Sequence, residues 1–293
     1  MVVLRLLLLS MVLLGGVGCA SHPADQEFEL LPSDDNRMLG ARAYAAADFR
    51  AARRYLSRHL GTLEEGEQDI EAQLMLAESL LELQRYGRAL TAFEQVLTRE
   101  PNKFEAREGQ ALVLLAQGDG EQADELLTAL LAEDNTRWRA WNGRGVAADL
   151  RGDYSFASEA YHYAIRHGGD NEAIANNLGY SLLMAGELRE AARWLLRAVE
   201  RYPDSTRLRN NLALALARDR RYNQALQHLQ ATLSEHEALN NIGYIAMLNE
   251  DYDMAEDFLR RAIAVSPRYY PRAQANLRRV LAVRDEAARQ DAD

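Results

Sequence analysis

The stretch that comes nearest to a cofactor motif is GRGVAA, which begins at Gly143 and nearly matches the dinucleotide-binding pattern GxGxxG/A. In that pattern a strand precedes the glycines and a helix follows them, so that backbone N–H groups meet a pyrophosphate. Here the stretch lies inside a segment with helical spacing, where Gly145 has a packing role as a small residue. The sequence therefore predicts no dinucleotide site at this position.

Two histidines are candidate metal ligands by residue type. His162 and His167 are five residues apart, which places them on different faces of a helix. The zinc motif HExxH does not occur in the chain. No group of residues combines a nucleophile, a base and an orienting partner. We therefore predict a protein that is not an enzyme and that uses no metal or cofactor.

The single cysteine, Cys19, follows an apolar run, Leu6–Leu14, and the small residues Gly-Val-Gly. The run is too short to span a bilayer and suits the hydrophobic region of an export signal. The pattern resembles the bacterial lipobox, whose cysteine is acylated, although Gly16 occupies the position where leucine is preferred. An ordinary secretory signal with an incidental cysteine is the alternative. We expect a lipidated Cys19 after a signal peptide at 1–18, and a flexible tether at 19–33.

A row of asparagines is the candidate binding feature. A side-chain amide offers both donors and an acceptor, so it can pair with the backbone of an extended peptide of any sequence. Two tyrosines, each three residues after an asparagine, would add aromatic area to the same groove. The alternative is that asparagine is simply common at these positions and only packs. The predicted groove residues are Asn142, Asn176, Asn177, Tyr180, Asn210, Asn211, Asn240, Asn241 and Tyr244.

The elements that would position these residues are repeated helix pairs. Residues 172–205 give the pattern of a helix, a turn at Gly186 and a second helix that ends at Pro203. Small residues at Gly179 and Ala191 let the two helices approach closely. The small residue of the first helix recurs at Gly40, Ala77, Ala111, Gly145, Ala213 and Gly243, and the alanine of the second recurs at Ala52, Ala89, Ala123, Ala157, Ala225 and Ala255.

This pattern resembles the tetratricopeptide repeat, or TPR, of about 34 residues. We therefore predict an all-α fold, a right-handed solenoid of about seven helix pairs at 34–269, with a capping helix and tail at 270–293. First helices of TPR pairs line the concave groove. The step from Ala213 to Gly243 is shorter than the others, so the second helix of the sixth pair must end about one turn early. We expect a local change of superhelical twist there.

Charge limits the range of partners. The formal net charge is −10, whereas proteins that bind nucleic acid present a basic surface to its phosphates. The sequence therefore predicts protein partners and a membrane contact through the lipid, with no nucleic acid and no small-molecule substrate.

The most specific block is Asn240–Val280, NNIGYIAMLNEDYDMAEDFLRRAIAVSPRYYPRAQANLRRV. With the preceding repeats from Asp170, it resembles the TadD-type TPR lipoproteins of tight-adherence (Flp) pilus systems. The resemblance implies a pilotin-like lipoprotein on the periplasmic face of the bacterial outer membrane. Its implied role is to bind pilus assembly proteins, the secretin above all. A general envelope adaptor that docks hydrolases or other secretion components is the alternative.

Overall fold

The computed structural model describes residues 33–64 and 67–290. The predicted signal peptide, Cys19 and nearly all of the tether lie outside these residues. Within them the chain forms fifteen α-helices and no strand, as the repeat pattern predicts. The helices are α1 Ser33–Ala45, α2 Phe49–Leu60, α3 Ile70–Glu82, α4 Tyr86–Arg99, α5 Phe104–Gln117, α6 Gly120–Glu133, α7 Trp138–Arg151, α8 Tyr154–Arg166, α9 Glu172–Met184, α10 Leu188–Arg201, α11 Thr206–Arg218, α12 Tyr222–Gln230, α13 Glu235–Leu248, α14 Tyr252–Val265 and α15 Pro271–Gln290.

The helices α1–α14 form seven consecutive pairs, which confirms the predicted number. The described residues divide into two compact units, one that ends at residue 174 (unit 1) and one that begins at residue 175 (unit 2). In unit 1 the first helices α1, α3, α5 and α7 contact one another in succession, and each of the last three also packs against the second helix of the preceding pair. In unit 2 the helices α11, α13 and α15 make the same kind of row. We call each row the first-helix face of its unit.

The alanine that recurs in every second helix lies in the core of its pair. A methyl side chain at this position lets the helices pack at short distance while still removing apolar surface from water. All seven of these alanines are fully buried, which confirms the repeat register: Ala52, Ala89, Ala123, Ala157, Ala191, Ala225 and Ala255.

The small residue of the first helix faces a large side chain of the second. A Cβ added to Gly179 would lie 2.3 Å from Cδ2 of Leu195, sixteen positions later and fully buried. Gly145 has the same relation to Tyr161, at 2.5 Å from its Cε1. Glycine is required at these positions because Leu195 and Tyr161 fill the space that a side chain would occupy.

The turns within all seven pairs use the left-handed backbone conformation. Three are glycines, including Gly186 at φ +83°, as the sequence predicts. The other four are not glycines, and the sequence gives no signal for them: Ala47, Gln84, Arg220 and Glu250, with φ between +56° and +62°. Here the packing of two helices imposes a conformation that the local residue disfavours.

The sixth pair is shortened as predicted, because α12 has only nine residues. The next helix begins directly after Ser234, whose hydroxyl and backbone N–H form a capping box with Glu237. The backbone nitrogen of Ser234 lies 3.2 Å from Oε2 of Glu237. This Ser-x-x-Glu signal is visible in the sequence and marks where the break between the two helices occurs.

The helix α15 contacts α13 and α14. Its apolar side chains Ala273, Leu277 and Val280 are buried, whereas Val283 on a later turn is 40% exposed. The helix thus covers the last pair with one face, as the end of a solenoid requires.

Candidate functional site

The asparagines predicted to bind peptide are mostly buried in the helix packing of their units. In unit 2, Asn176, Asn177, Asn211 and Asn240 are each less than 10% exposed. Asn142, in unit 1, is also buried. A buried amide must have hydrogen-bond partners, because burial without them costs free energy.

The amides of unit 2 supply these partners to one another across neighbouring first helices. Asn211 in α11 donates from Nδ2 to Oδ1 of Asn176 in α9, at 2.9 Å. Asn276 in α15 donates in the same way to Oδ1 of Asn240 in α13, at 3.1 Å. For Asn176, Asn211 and Asn240 the sequence left peptide binding and packing as alternatives, and these two bonds belong to packing. These side chains link adjacent helix pairs.

The remaining predicted groove residues of unit 2 are accessible. Asn210 is exposed, and its Oδ1 accepts from the Thr232 hydroxyl at 3.1 Å. Asn241, Tyr180 and Tyr244 are half-buried. Peptide binding by the asparagine row stays a prediction, and these four residues are the part of it that a partner can reach in this structure.

A polar cluster in unit 1 has no counterpart in the sequence prediction. The Arg139 guanidinium in α7 donates from Nη1 to Oε1 of Glu78 in α3, at 3.1 Å, although 61 residues separate them. Its Nε lies 3.5 Å from Oε2 of Glu108 in α5. The Tyr44 hydroxyl in α1 donates to the other oxygen of Glu78. Four successive first helices therefore meet at one ionic network.

A cavity of about 370 Å³ adjoins this network in unit 1. Its walls combine aromatic rings, two acidic side chains, one arginine and two amides. Asn142 is the member of the predicted groove that lines it. The lining residues are Tyr44, Phe49, Glu78, Leu81, Glu82, Leu112, Trp138, Arg139, Asn142, Asn171, Ala173 and Ile174.

Burial changes the acid–base behaviour of these carboxyl groups. It raises the pKa of Glu82 to about 7, because the nearby Arg139 only partly offsets the loss of water and Glu78 adds repulsion. Burial also raises the pKa of Glu108, which is 3% exposed and whose Oε1 has no hydrogen-bond partner. Burial and Glu78 together raise the pKa of the Tyr44 hydroxyl. The network holds more acidic groups than its one arginine neutralises.

The glycine motif that resembles a cofactor site is part of the packing between helices. GRGVAA lies inside α7, and a Cβ added to Gly143 would lie 2.7 Å from Cδ1 of Leu127. The described residues bring together no group of three or more His, Cys, Asp or Glu side chains that could hold a metal ion. Across residues 33–64 and 67–290, no helix is both long and apolar enough to cross a membrane.

Comparison with known proteins agrees with the helix pairs. Family models described as tetratricopeptide repeat match residues 74–136, 109–157, 151–206 and 236–269, more than half of the chain. Among solved structures, the chain is similar to TTC0263, a thermophilic TPR protein of Thermus thermophilus. The identity is 26% and the TM-score 0.54, covering 63% of this chain and 99% of that one.

Two curated relatives are longer proteins. Protein FlbA of Caulobacter vibrioides is 29% identical over 67% of this chain. The TPR repeat-containing protein PA4667 of Pseudomonas aeruginosa is 26% identical over 46% of it. The matched regions span 33% of FlbA and 23% of PA4667. The recurring alanines, the left-handed turns and the matched repeat models together show that this chain belongs to the tetratricopeptide repeat family.

Proposed function

We propose that this chain is a non-catalytic, lipid-anchored scaffold that binds proteins of Flp pilus assembly and supports the outer-membrane secretin. A TPR fold is suited to protein–protein interaction, because stacked helix pairs present an extended surface to a partner. The observation that carries the proposal is the first-helix face of unit 2. It belongs to the part of the chain, 170–280, that resembles the pilus lipoproteins.

The accessible side chains of this face suit an extended segment of the secretin. Tyr244 and Asn241 lie within one turn of each other in α13, and both are half-buried. A tyrosine contributes a rigid apolar area with a polar tip, and an amide can bond peptide backbone of any sequence. Asn176 and Asn211 take part in the proposal only by holding α9 and α11 together.

The proposed anchor is Cys19, after the apolar run that ends in Gly-Val-Gly. More than one acyl chain would hold the protein stably on a membrane, where a single chain is marginal. Ala20 follows the cysteine, and it lacks the aspartate that resembles an inner-membrane retention signal. We propose the periplasmic face of the outer membrane on that basis.

A pull-down of purified secretin by the immobilised protein tests the partner. The variant with Asn241→Ala and Tyr244→Ala should lose most of the binding and keep the wild-type thermal melt. The matched control is Asn223→Ala with Tyr269→Ala, which removes one exposed amide and one tyrosine that is 75% exposed. Equal binding by both variants and the wild type would contradict the proposal that the first-helix face of unit 2 binds the secretin. Capture of hydrolases instead of the secretin would support the envelope-adaptor alternative.

A further inference from the structure

We propose that the cavity in unit 1 binds the guanidinium or ammonium group of a basic side chain on a partner protein. The residues on which the inference depends come from α1, α2, α3 and α7, and all residues that line the cavity belong to unit 1. The unit 2 face proposed for the secretin consists of other residues. The inference depends on the geometry of unit 1 alone, so it does not require the pilus assignment.

The carboxyl groups beside the cavity outnumber the cation that contacts them. Glu78, Glu82 and Glu108 lie close to Arg139, so three carboxyl groups share this guanidinium. Arg137 also acts on Glu108, but it forms its ion pairs with Glu105 and Asp134. Arg139 contacts Glu78 and Glu108, and Glu78 also accepts from Tyr44. Glu82 lines the cavity and makes no hydrogen bond or ion pair with any residue that the structure describes. A second cation beside Glu82 would balance charge that this unit leaves uncompensated.

A buried carboxylate, Glu108, lies against the arginine. Glu108 is 97% buried, its Oε2 lies against Arg139, and its Oε1 has no partner in the described part of the chain. An unpaired buried carboxylate oxygen is costly. Glu108 lies against Arg139 and outside the cavity lining, so its negative charge acts on a bound cation through space and not through a hydrogen bond.

Aromatic side chains line part of the cavity. Tyr44, Phe49 and Trp138 border the same cavity as Glu82. The face of an aromatic ring attracts a cation and also packs against the apolar stem of arginine or lysine. The carboxylates would repel an anionic ligand. A purely apolar ligand would bury the Glu82 carboxylate without a hydrogen-bond or ionic partner. A long basic side chain matches both parts of the lining.

A free amine could offer the same cation, so the occupant must be distinguished by what else it contacts. Four first helices of unit 1 meet here, and first helices are the ones whose row can contact an extended protein segment. The proposed occupant is therefore a basic residue within a protein segment. A peptide should bind more tightly than arginine amide, because its backbone adds contacts along the same face.

Calorimetric titration of the full chain tests the proposal. The probe is a short glycine–serine peptide with one central arginine, used in mildly alkaline buffer so that Glu82 is ionised. Its counterpart carries neutral citrulline, which keeps the shape of arginine without the charge. We expect the arginine peptide to bind about tenfold or more tightly than the citrulline peptide, because the charge pair forms in a partly desolvated site.

Glu82→Gln should weaken binding of the arginine peptide by about tenfold or more, with an unchanged far-ultraviolet spectrum and melting cooperativity. Glu94→Gln, at an exposed position of α4, is the matched control and should bind like the wild type. Equal binding of the two peptides, no binding, or full binding by Glu82→Gln would overturn the proposal. Arginine amide binding as tightly as the peptide would overturn the protein-segment part. Loss or survival of secretin binding tests only the proposal for the unit 2 face and leaves the proposal for the unit 1 cavity unaffected.

Discussion

Asn211 in α11 donates its side-chain N–H to the Oδ1 of Asn176 in α9, which joins two neighbouring first helices through buried amides. We expect Asn211→Ala to lower the free energy of unfolding by about 1–3 kcal/mol, since it leaves the Asn176 oxygen buried and unpaired. Asn210→Ala, one position away and exposed, should change it by less than about 0.5 kcal/mol. Urea unfolding of both variants measures the difference.

A double-mutant cycle tests whether the two amides act as a pair. If Asn176 and Asn211 interact as the structure shows, Asn176→Ala combined with Asn211→Ala should cost less than the sum of the single changes. Strict additivity would mean that the bond does not contribute in solution.

The contact between Gly179 and Leu195 gives a second prediction. Leu195→Ala should cost about 2–5 kcal/mol, because it empties a fully buried site. Gly179→Ala should cost about 1–3 kcal/mol, because the new methyl group overlaps the leucine. Combining both changes should recover part of the lost stability. The methyl group at position 179 then fills part of the space that Leu195 leaves, and it no longer overlaps the leucine. Hydrogen exchange should show the largest effect in adjacent pairs, whereas a uniform loss across all pairs would contradict distributed stability.

The non-glycine turns give a third prediction. Ala47→Gly and Gln84→Gly should each raise stability by up to about 1 kcal/mol, because both residues have φ near +57°. Gly186→Ala should lower it by about 1 kcal/mol or more. No side chain lies near a Cβ at Gly186, so its cost would be conformational. Thermal melts of the three variants suffice, and a stabilising Gly186→Ala would refute this account.

Glu82 predicts a pH dependence of stability. Its pKa is raised in the folded state to about 7, above the ordinary value of 4.5. Between these values the unfolded chain binds fewer protons, so stability should fall as pH rises from about 4.5 to 7 and then level off. The ionisation of Glu82 should lower the free energy of unfolding by about 1–3 kcal/mol over this range, after allowance for water in the cavity.

The comparison with Glu82→Gln isolates this group. Burial lowers the pKa of His228. The titration of this histidine should therefore raise stability as pH increases over part of the same range. The hydrogen bonds that the Asp69 carboxylate accepts outweigh its burial and lower its pKa from 3.8 to about 2. Its contribution to stability is therefore lost only as pH falls between these two values, below the range in which Glu82 titrates. The variant should be more stable than the wild type at neutral pH and show a flatter profile. An identical profile in wild type and variant would contradict the raised pKa.

Cys19→Ser tests the lipid anchor. Serine cannot be acylated by the thioether route, so the repeats should leave the membrane fraction but keep their wild-type melt. Ala20→Ser serves as the neighbouring control and should remain with the membranes. Persistence of Cys19→Ser in the membrane fraction would remove the lipid from the proposal, and co-fractionation of the wild type with inner membranes would remove its outer-membrane location.

The sequence alone determined the helix pairs, because their signals are local. Helical spacing, the glycine at 186 and the recurring alanines each act within one pair of helices, and the repeat shows the same signals several times. The early end of α12 could also be predicted, since the shortened step from Ala213 to Gly243 leaves no room for a full helix. The Ser234 capping box was equally local.

The tertiary structure decided which polar side chains are buried and with what they pair. Asparagines at two adjacent sequence positions, Asn210 and Asn211, differ in exposure because successive helical residues are about 100° apart, and only neighbouring helices determine which is covered. Arg139 and Glu78 meet across 61 residues through stacking of separate pairs. The repeat period cannot encode such a network, because its members occupy different positions in their repeats and interact only once the pairs are stacked.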